Sequence, residues 1–365
     1  MGRSSVSTAG VDVPLRRHLT ILVALVCVTA TPTLGEAPED GPDPACAEHR
    51  ASSLTVFLEN DLFIGFDSEY TSGVGVSWGS GNAETYGPRH LITKLDKMLS
   101  FLPRIDDKDF TTLFTFTLGQ EMYTPKDISS PIPPPDDQPY AGILFLDSAA
   151  FAHSEDFMHE YSLRIGCVGP CSGAEQSQRR IHEWIDAPIP QGWEYQLDNE
   201  LLLNAGYQYH RNLVRKRPKR SLGYDSSISL GGALGNYYTG ANASLVARAG
   251  FGLPSSYGNA TLRTGGSSQF VGAAPDPGEG WRVFAYLGVN GFAVARFLPT
   301  DGNTFEDSPS VDRNTLTGMI SGGFVIGYRN FKATWAMNHM AGFNDDQDSR
   351  ANDFGSVTVT IFFQR

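Results

Sequence analysis

Residues 70–79 read YTSGVGVSWG, and this stretch decides what kind of sheet the chain builds. Side chains alternate across a strand, so Tyr70, Ser72, Val74, Val76 and Trp78 share one face and Thr71, Gly73, Gly75, Ser77 and Gly79 the other. The first face suits lipid and the second a crowded polar interior. Tyr70 and Trp78 stand eight residues apart, about 26 Å at ~3.3 Å per residue, close to the separation of the two aromatic girdles of a membrane barrel. The end of the chain repeats the pattern, with Val357, Val359, Ile361 and Phe363 on one face and Ser356, Thr358 and Thr360 on the other.

Working outward, period-two segments recur at Leu54–Asn60, Tyr70–Gly79, Thr111–Met122, Tyr140–Phe151, Tyr161–Val168, Leu201–Tyr209, Ser226–Leu234, Ala243–Phe251, Trp281–Phe297, Leu316–Tyr328, Phe331–Met340 and Ser356–Phe363. A secreted sandwich or jelly roll would alternate in the same way. A barrel with both termini in the periplasm needs an even number of strands. The segments reach twelve if Trp281–Phe297 is one long, bulged strand and not a hairpin turning at Val289-Asn290-Gly291. The expectation is an all-β, twelve-stranded antiparallel transmembrane barrel over residues 51–365, with a short helix in an extracellular loop.

The compartment agrees. In a chain of 365 residues with a net charge of -12, Arg16 and Arg17 precede an uncharged stretch from Leu19 to Ala30. That run is shorter than the ~20 residues a spanning helix needs and fits the core of an export signal, assigned to residues 1–35. Residues 36–50, rich in Pro, Asp and Glu, read as a flexible leader. Cys167 and Cys171 flank Val-Gly-Pro, a turn that can bring them together where disulfides persist, whereas Cys46 has no obvious partner. No phosphate-binding glycine loop and no nucleic-acid signature is present.

The connections carry the chemistry. In residues 80–110, Leu91, Leu95, Met98 and Leu99 fall at helical spacing, read as a packing plug at a barrel end. Arg211–Arg220, RNLVRKRPKR, reads as a basic periplasmic turn holding inner-leaflet phosphates. In the connection 169–199, Ser172 and Glu175 form a capping-box pattern, so a helix is expected from near Gly173 to before Pro188. There His182 and Asp186 share a face, and an imidazole beside a carboxylate is what a general base needs. A helical histidine is also an ordinary surface residue, and Arg179 and Arg180 an ordinary solvated face or a local positive field.

By strand parity this helix, Asn60-Asp61, Tyr70-Thr71 and the loop 123–140 all gather at the extracellular rim, at the depth of lipid headgroups. Oxygen donors without thiolates suit Ca²⁺, which can polarise an ester carbonyl while His182 activates water. Hydrolysis of a lipid ester is the expected reaction class. Gly75-Val76-Ser77-Trp78-Gly79 matches a serine-hydrolase motif, but it lies inside a strand, away from the turn such a nucleophile needs.

Taken in order, LENDLF, YTSGVGVSW, GQEMYTP, PDDQPYAGILF, IHEWI and PQGWEYQLDNE resemble the outer-membrane lipid A 3'-O-deacylase (LpxR-like) family along nearly the whole mature chain. The resemblance implies Ca²⁺-dependent release of the 3'-linked acyloxyacyl group of lipid A at the outer leaflet of the outer membrane, by a mechanism like that of secreted phospholipase A2; the protein is separately expected to be a monomer. It implies that Asn60 and Asp61 match the site's Asn-Asp pair, Thr71 its threonine and His182 its base, with Asp61, Asn60 and Thr71 as candidate metal ligands. Where some members carry a site glutamate after the histidine, this chain has Pro188, with Asp186 the nearest carboxylate. The family's site lysine has only Lys126 nearby. PDDQPYAG, Gln191-Gly192-Trp193, Gln196 and Glu200 read as structural. The competing readings are a phospholipase-like acyl hydrolase and a catalytically silent barrel or pore.

Overall fold

The computed structural model describes residues 51–61, 69–216, 221–254, 280–341 and 353–364. The signal, the leader and Cys46 lie outside them.

Twelve strands run in order, β1 (Ala51–Asn60), β2 (Glu69–Gly79), β3 (Thr111–Thr124), β4 (Ala141–His153), β5 (Phe157–Val168), β6 (Glu200–Lys216), β7 (Gly223–Gly235), β8 (Tyr238–Phe251), β9 (Trp281–Phe297), β10 (Leu316–Tyr328), β11 (Phe331–Met340) and β12 (Asp353–Gln364). Every neighbour is antiparallel and β1 pairs with β12, which closes the barrel and leaves no unpaired edge. Trp281–Phe297 is one strand, and the register with β8 shifts between Thr239 and Gly240, opposite Ala295. Among the described residues no helix is long and apolar enough to cross a membrane, so the strands cross it.

Outward positions are apolar and exposed, as at Leu54, Val56, Val74, Val76, Leu287, Val289 and Ile361. Inward positions pair small residues with large ones. An added Cβ at Gly75 would collide with the Phe57 ring, and one at Gly119 with the ring of Phe145, so each glycine makes room for an aromatic that fills the lumen.

Tyr70 departs from its expected lipid-facing place. The β2–β3 register shifts between Tyr70 and Ser72, so one extra residue sits in β2 and Tyr70 is turned inward. It is 4 % exposed, donates to Glu59 Oε2 at 2.5 Å and meets the Phe354 ring edge-on. Tyr70 and Trp78 are therefore not a pair of girdle residues.

At the end of the barrel where β1 ends and β2 begins, Tyr70, Tyr123, Phe145, Tyr237, Phe292 and Phe354 belong to one buried cluster across the lumen. Under it Arg164 lies over the rings of Phe145 (3.9 Å) and Tyr237 (4.7 Å). It donates to both oxygens of Asp147 at 2.8 and 2.9 Å and to Glu121 at 3.2 and 3.3 Å. A cavity of about 60 Å³ remains beside it, lined by Asp147, Glu160, Arg164, Asn204, Gln208 and Tyr237. Among the described residues, this half of the barrel is a packed core and not the open channel a pore requires.

Two further expectations are corrected. A helix does form in residues 80–110, α1 (Leu91–Met98), but it does not plug the barrel end. Ile92 and Ile105 are buried with Phe114, Ala150 and Ala152, outward-facing residues of β3 and β4, so the segment packs on the outside of the wall. Its apolar side found the barrel's own apolar exterior. The basic stretch is not a turn as far as Lys216, because β6 continues through it and pairs Arg211 with Ile228 and Lys216 with Tyr224. Arg211 and Lys216 are exposed on the outward face, and Arg215, in register with the inward Asp225, donates to the Glu155 carbonyl at 2.8 Å and carboxylate at 3.1 Å.

Candidate active site

Asn60 ends β1, Thr71 lies at the start of β2 and Thr124 ends β3, and the sheet brings them together on the outer wall. Asn60 has the parity of the lipid-facing Leu54 and Val56, and Thr124 that of Leu118. Thr71 is the additional residue of the β2 bulge, which re-aims it. Its carbonyl accepts from Asn60 Nδ2 at 2.8 Å and its hydroxyl lies 2.7 Å from that of Thr124. The amide of Asn60 thus has its nitrogen committed to the backbone. Asp61 follows, 1 % exposed.

The second half of the site is α2 (Ala174–Ile185). The expected capping box is absent. Gly173 is the N-cap with φ +67° and no side-chain cap, while the Ser172 hydroxyl donates to the Gly169 carbonyl at 2.6 Å and accepts from the Ala174 amide at 3.3 Å. Ser172 sits one residue too early, in the turn Pro170–Ser172, and Glu175 instead pairs with Arg179 at 3.1 Å. Cys167 and Cys171 are bonded, as the spacing suggested, and tie this turn to the end of β5.

The helix lies on the outside of the barrel. Gln120 Nε2 of β3 donates to the Ser172 carbonyl at 2.7 Å, and Met122 packs with Tyr140, Ala174 and Trp193. Gly142 permits the approach, since an added Cβ would collide with Ala174 Cβ and Ser172 Oγ. Trp193 Nε1 donates to Gln178 Oε1 at 2.7 Å and stacks near Tyr140. Replacing Gly142 by valine is expected to lift α2, at about 1–3 kcal/mol of overpacking, with the barrel intact. Faster proteolytic cleavage within residues 174–199 with unchanged heat-modifiable gel mobility would show it, and wild-type cleavage would refute it.

His182 points into this contact and is 2 % exposed. Its Nδ1 lies 2.6 Å from the carbonyl oxygen of Pro188. A carbonyl only accepts, so Nδ1 carries the proton, and in the neutral ring Nε2 keeps the lone pair. Asp186 was expected to orient the ring. Instead it caps α2 with φ +58°, its amide donating to the His182 carbonyl, and its exposed carboxylate has no hydrogen bond among the described residues. The residue standing where the resemblance leads one to expect a glutamate, Pro188, supplies the orienting oxygen from its backbone.

The loop 125–140 braces the arrangement. Gln191 donates its amide to Ile128 O and Leu197 to Tyr140 O, both at 2.9 Å, while Asp137 accepts from the Lys126 amide at 2.9 Å. The Ser129 hydroxyl and amide hold the Asp127 carboxyl below its usual range. Glu200 accepts from Asn236, Asn303 and the Thr304 amide, pinning the neighbouring loop to the rim. These bonds fasten the loops to one another and to the barrel. Lys126 and Arg180 are exposed, and Arg179 is committed to Glu175.

Both halves meet the outer wall of β3, one at Thr124 and the other at Gln120 and Met122. The hydrogen bond recorded for His182 goes to Pro188 and not to the Asn60–Thr71 pair. Oxygen donors suited to a hard cation are the Asn60 amide oxygen, the Asp61 carboxylate and the Thr71 hydroxyl, whereas no group of three His, Cys, Asp or Glu able to hold a metal occurs among the described residues.

A model of the family described as outer membrane protein LpxR matches residues 21–363. The solved structure of LpxR from Salmonella typhimurium shares 16% identity over 85% of this chain and 100% of that one, with a TM-score of 0.66, which shows a common fold. The β domain of the Bordetella autotransporter BrkA, at 10% identity over 87% of this chain and 99% of that one, reaches a TM-score of only 0.39, too low to carry an argument. No curated protein matches the sequence directly.

Proposed function

The chain belongs to the LpxR family of outer-membrane proteins, and from that premise we propose that it is a hydrolase removing the 3'-linked acyloxyacyl group of lipid A. The observation that supports this most is the position of His182. Its helix lies on the outer wall at the extracellular rim, where a lipid of the outer leaflet would lie alongside, and its ring is held with Nδ1 protonated by the Pro188 carbonyl.

In this reading Nε2 of His182 takes a proton from water as the water oxygen attacks the ester carbonyl, and returns it to the departing sugar oxygen when the C–O bond breaks. The Pro188 carbonyl stabilises the imidazolium formed in between. Asn60, Asp61 and Thr71 offer oxygen atoms of the hardness Ca²⁺ selects and would hold it. The bound ion would supply positive charge to the developing oxyanion. Asn60 is positioned for such a role by its bond to the Thr71 carbonyl, and Thr71 by the bulge and by Thr124.

The test is mass spectrometry of lipid A from cells producing the protein, with phospholipids followed in the same extract. Loss of one acyloxyacyl unit from lipid A supports the proposal. Lysophospholipid with unchanged lipid A would favour the phospholipase-like reading, and no change in either, with a folded barrel, the silent scaffold. Removing Ca²⁺ from the purified protein with a chelator is expected to abolish the activity, and Ca²⁺ but not Mg²⁺ to restore it, because Mg²⁺ dehydrates reluctantly and demands a stricter octahedron. Undiminished activity in chelator would eliminate the metal from the mechanism.

A further inference from the structure

We infer that residues 80–110 form a membrane-seated shoe on the barrel, with α1 in the inner leaflet and Leu91, Met98 and Phe101 among phospholipid acyl chains. The observation behind this is the height of the wall left open to lipid on this side. Along β4 the outward row reads Gly142, Leu144, Leu146, Ser148, Ala150 and Ala152. Gly142 is covered by the α2 segment, and Ala150 and Ala152 are covered by the α1 segment, at 3 % and 0 % exposure. Only Leu144 to Ser148 stay open, about 13 Å along the strand at ~3.3 Å per residue and roughly 10 Å of height at a ~40° tilt. On β3 Leu118 alone is exposed between Phe116 and Gln120.

The apolar band of such barrels is ~25 Å tall, so bare wall accounts for less than half of it here. On β9, by contrast, the outward row from Trp281 through Val283, Ala285, Leu287, Val289, Gly291 and Ala293 is exposed throughout. The missing height on the β3–β4 side is therefore presented by what covers the wall. The covering segment has the surface for it. Ile92, Leu95 and Leu99 turn toward the barrel, whereas Leu91, Met98 and Phe101 are 62 %, 61 % and 76 % exposed and continue the lipid-facing wall. Lys94 and Lys97, exposed between them, can keep their stems in this layer and reach phosphates with their ammonium groups.

A spin label on Met98→Cys, in a Cys46→Ser background reconstituted into phosphatidylethanolamine–phosphatidylglycerol liposomes, tests this. Collision with oxygen is expected to exceed collision with a water-soluble nickel chelate severalfold, as at the lipid-facing reference Leu287→Cys. The same labelling at Phe101→Cys guards against a site that disturbs the helix. Accessibility to nickel equal to that at Glu155→Cys, in the exposed periplasmic turn, would place the segment in water and overturn the inference.

Discussion

Replacing His182 by alanine is expected to slow ester hydrolysis by about 10²–10⁴-fold, the usual worth of a positioned general base. His182 and Asp61 are both nearly fully buried, so a loss of activity must be separated from a loss of structure. Two features make that separation clean. The helix carrying His182 stands outside the closed sheet, so the void left by the ring burdens the α2 contact and not the barrel. His182→Gln also retains an N–H donor for the Pro188 carbonyl while lacking a base. Both variants should be slowed to this extent, with wild-type heat-modifiable mobility. Asp186→Asn should keep near wild-type rates, because the exposed carboxylate bonds to nothing described and asparagine tolerates the left-handed backbone at φ +58°. Full activity in a folded His182→Gln protein would remove the base, and a collapse on Asp186→Asn would return the orienting role to that carboxylate.

Arg164→Met is expected to destabilise the barrel by about 3–5 kcal/mol, because it leaves Asp147 and Glu121 facing each other in a buried interior without their common cation. The guanidinium is planar, bonded in two directions and lies over the rings of Phe145 and Tyr237. Lysine cannot reproduce that geometry, so Arg164→Lys should recover only part of the loss. Neutralising both acids together with the arginine should recover more, since no orphaned charge then remains. Urea unfolding in detergent measures the series. A wild-type midpoint for Arg164→Met would show that the network adds nothing to stability.

Much of the molecule was legible in the chain because strand alternation is a local property. Trp281–Phe297, Leu316–Tyr328 and Phe331–Met340 have the bounds their sequence pattern suggests. Most of the others extend further, since ladder hydrogen bonding carries on through polar residues whose side chains can reach water. Candidate residues were legible as chemical types: an Asn-Asp at a strand end, a threonine, and a histidine on a short helix. Their partners were not. Pro188 acts through its backbone carbonyl, for which no residue-type signal exists, and Thr124 matters only through its register with β2. Gly142 did carry a signal, a residue without a side chain at the head of the outward row Leu144, Leu146.

The sequence by itself determined where the strands run and which residues share a face, because period two needs no knowledge of distant contacts, whereas closure into a barrel and the single strand Trp281–Phe297 are tertiary findings. Only the tertiary structure decided what stands on the outside of that barrel. A one-residue bulge turned Tyr70 into the lumen and re-aimed Thr71, and two amphipathic segments docked against the outer wall instead of the lumen. An alternating pattern says that a face is apolar. It does not say whether lipid or another part of the chain will cover it, since both bury the same surface from water.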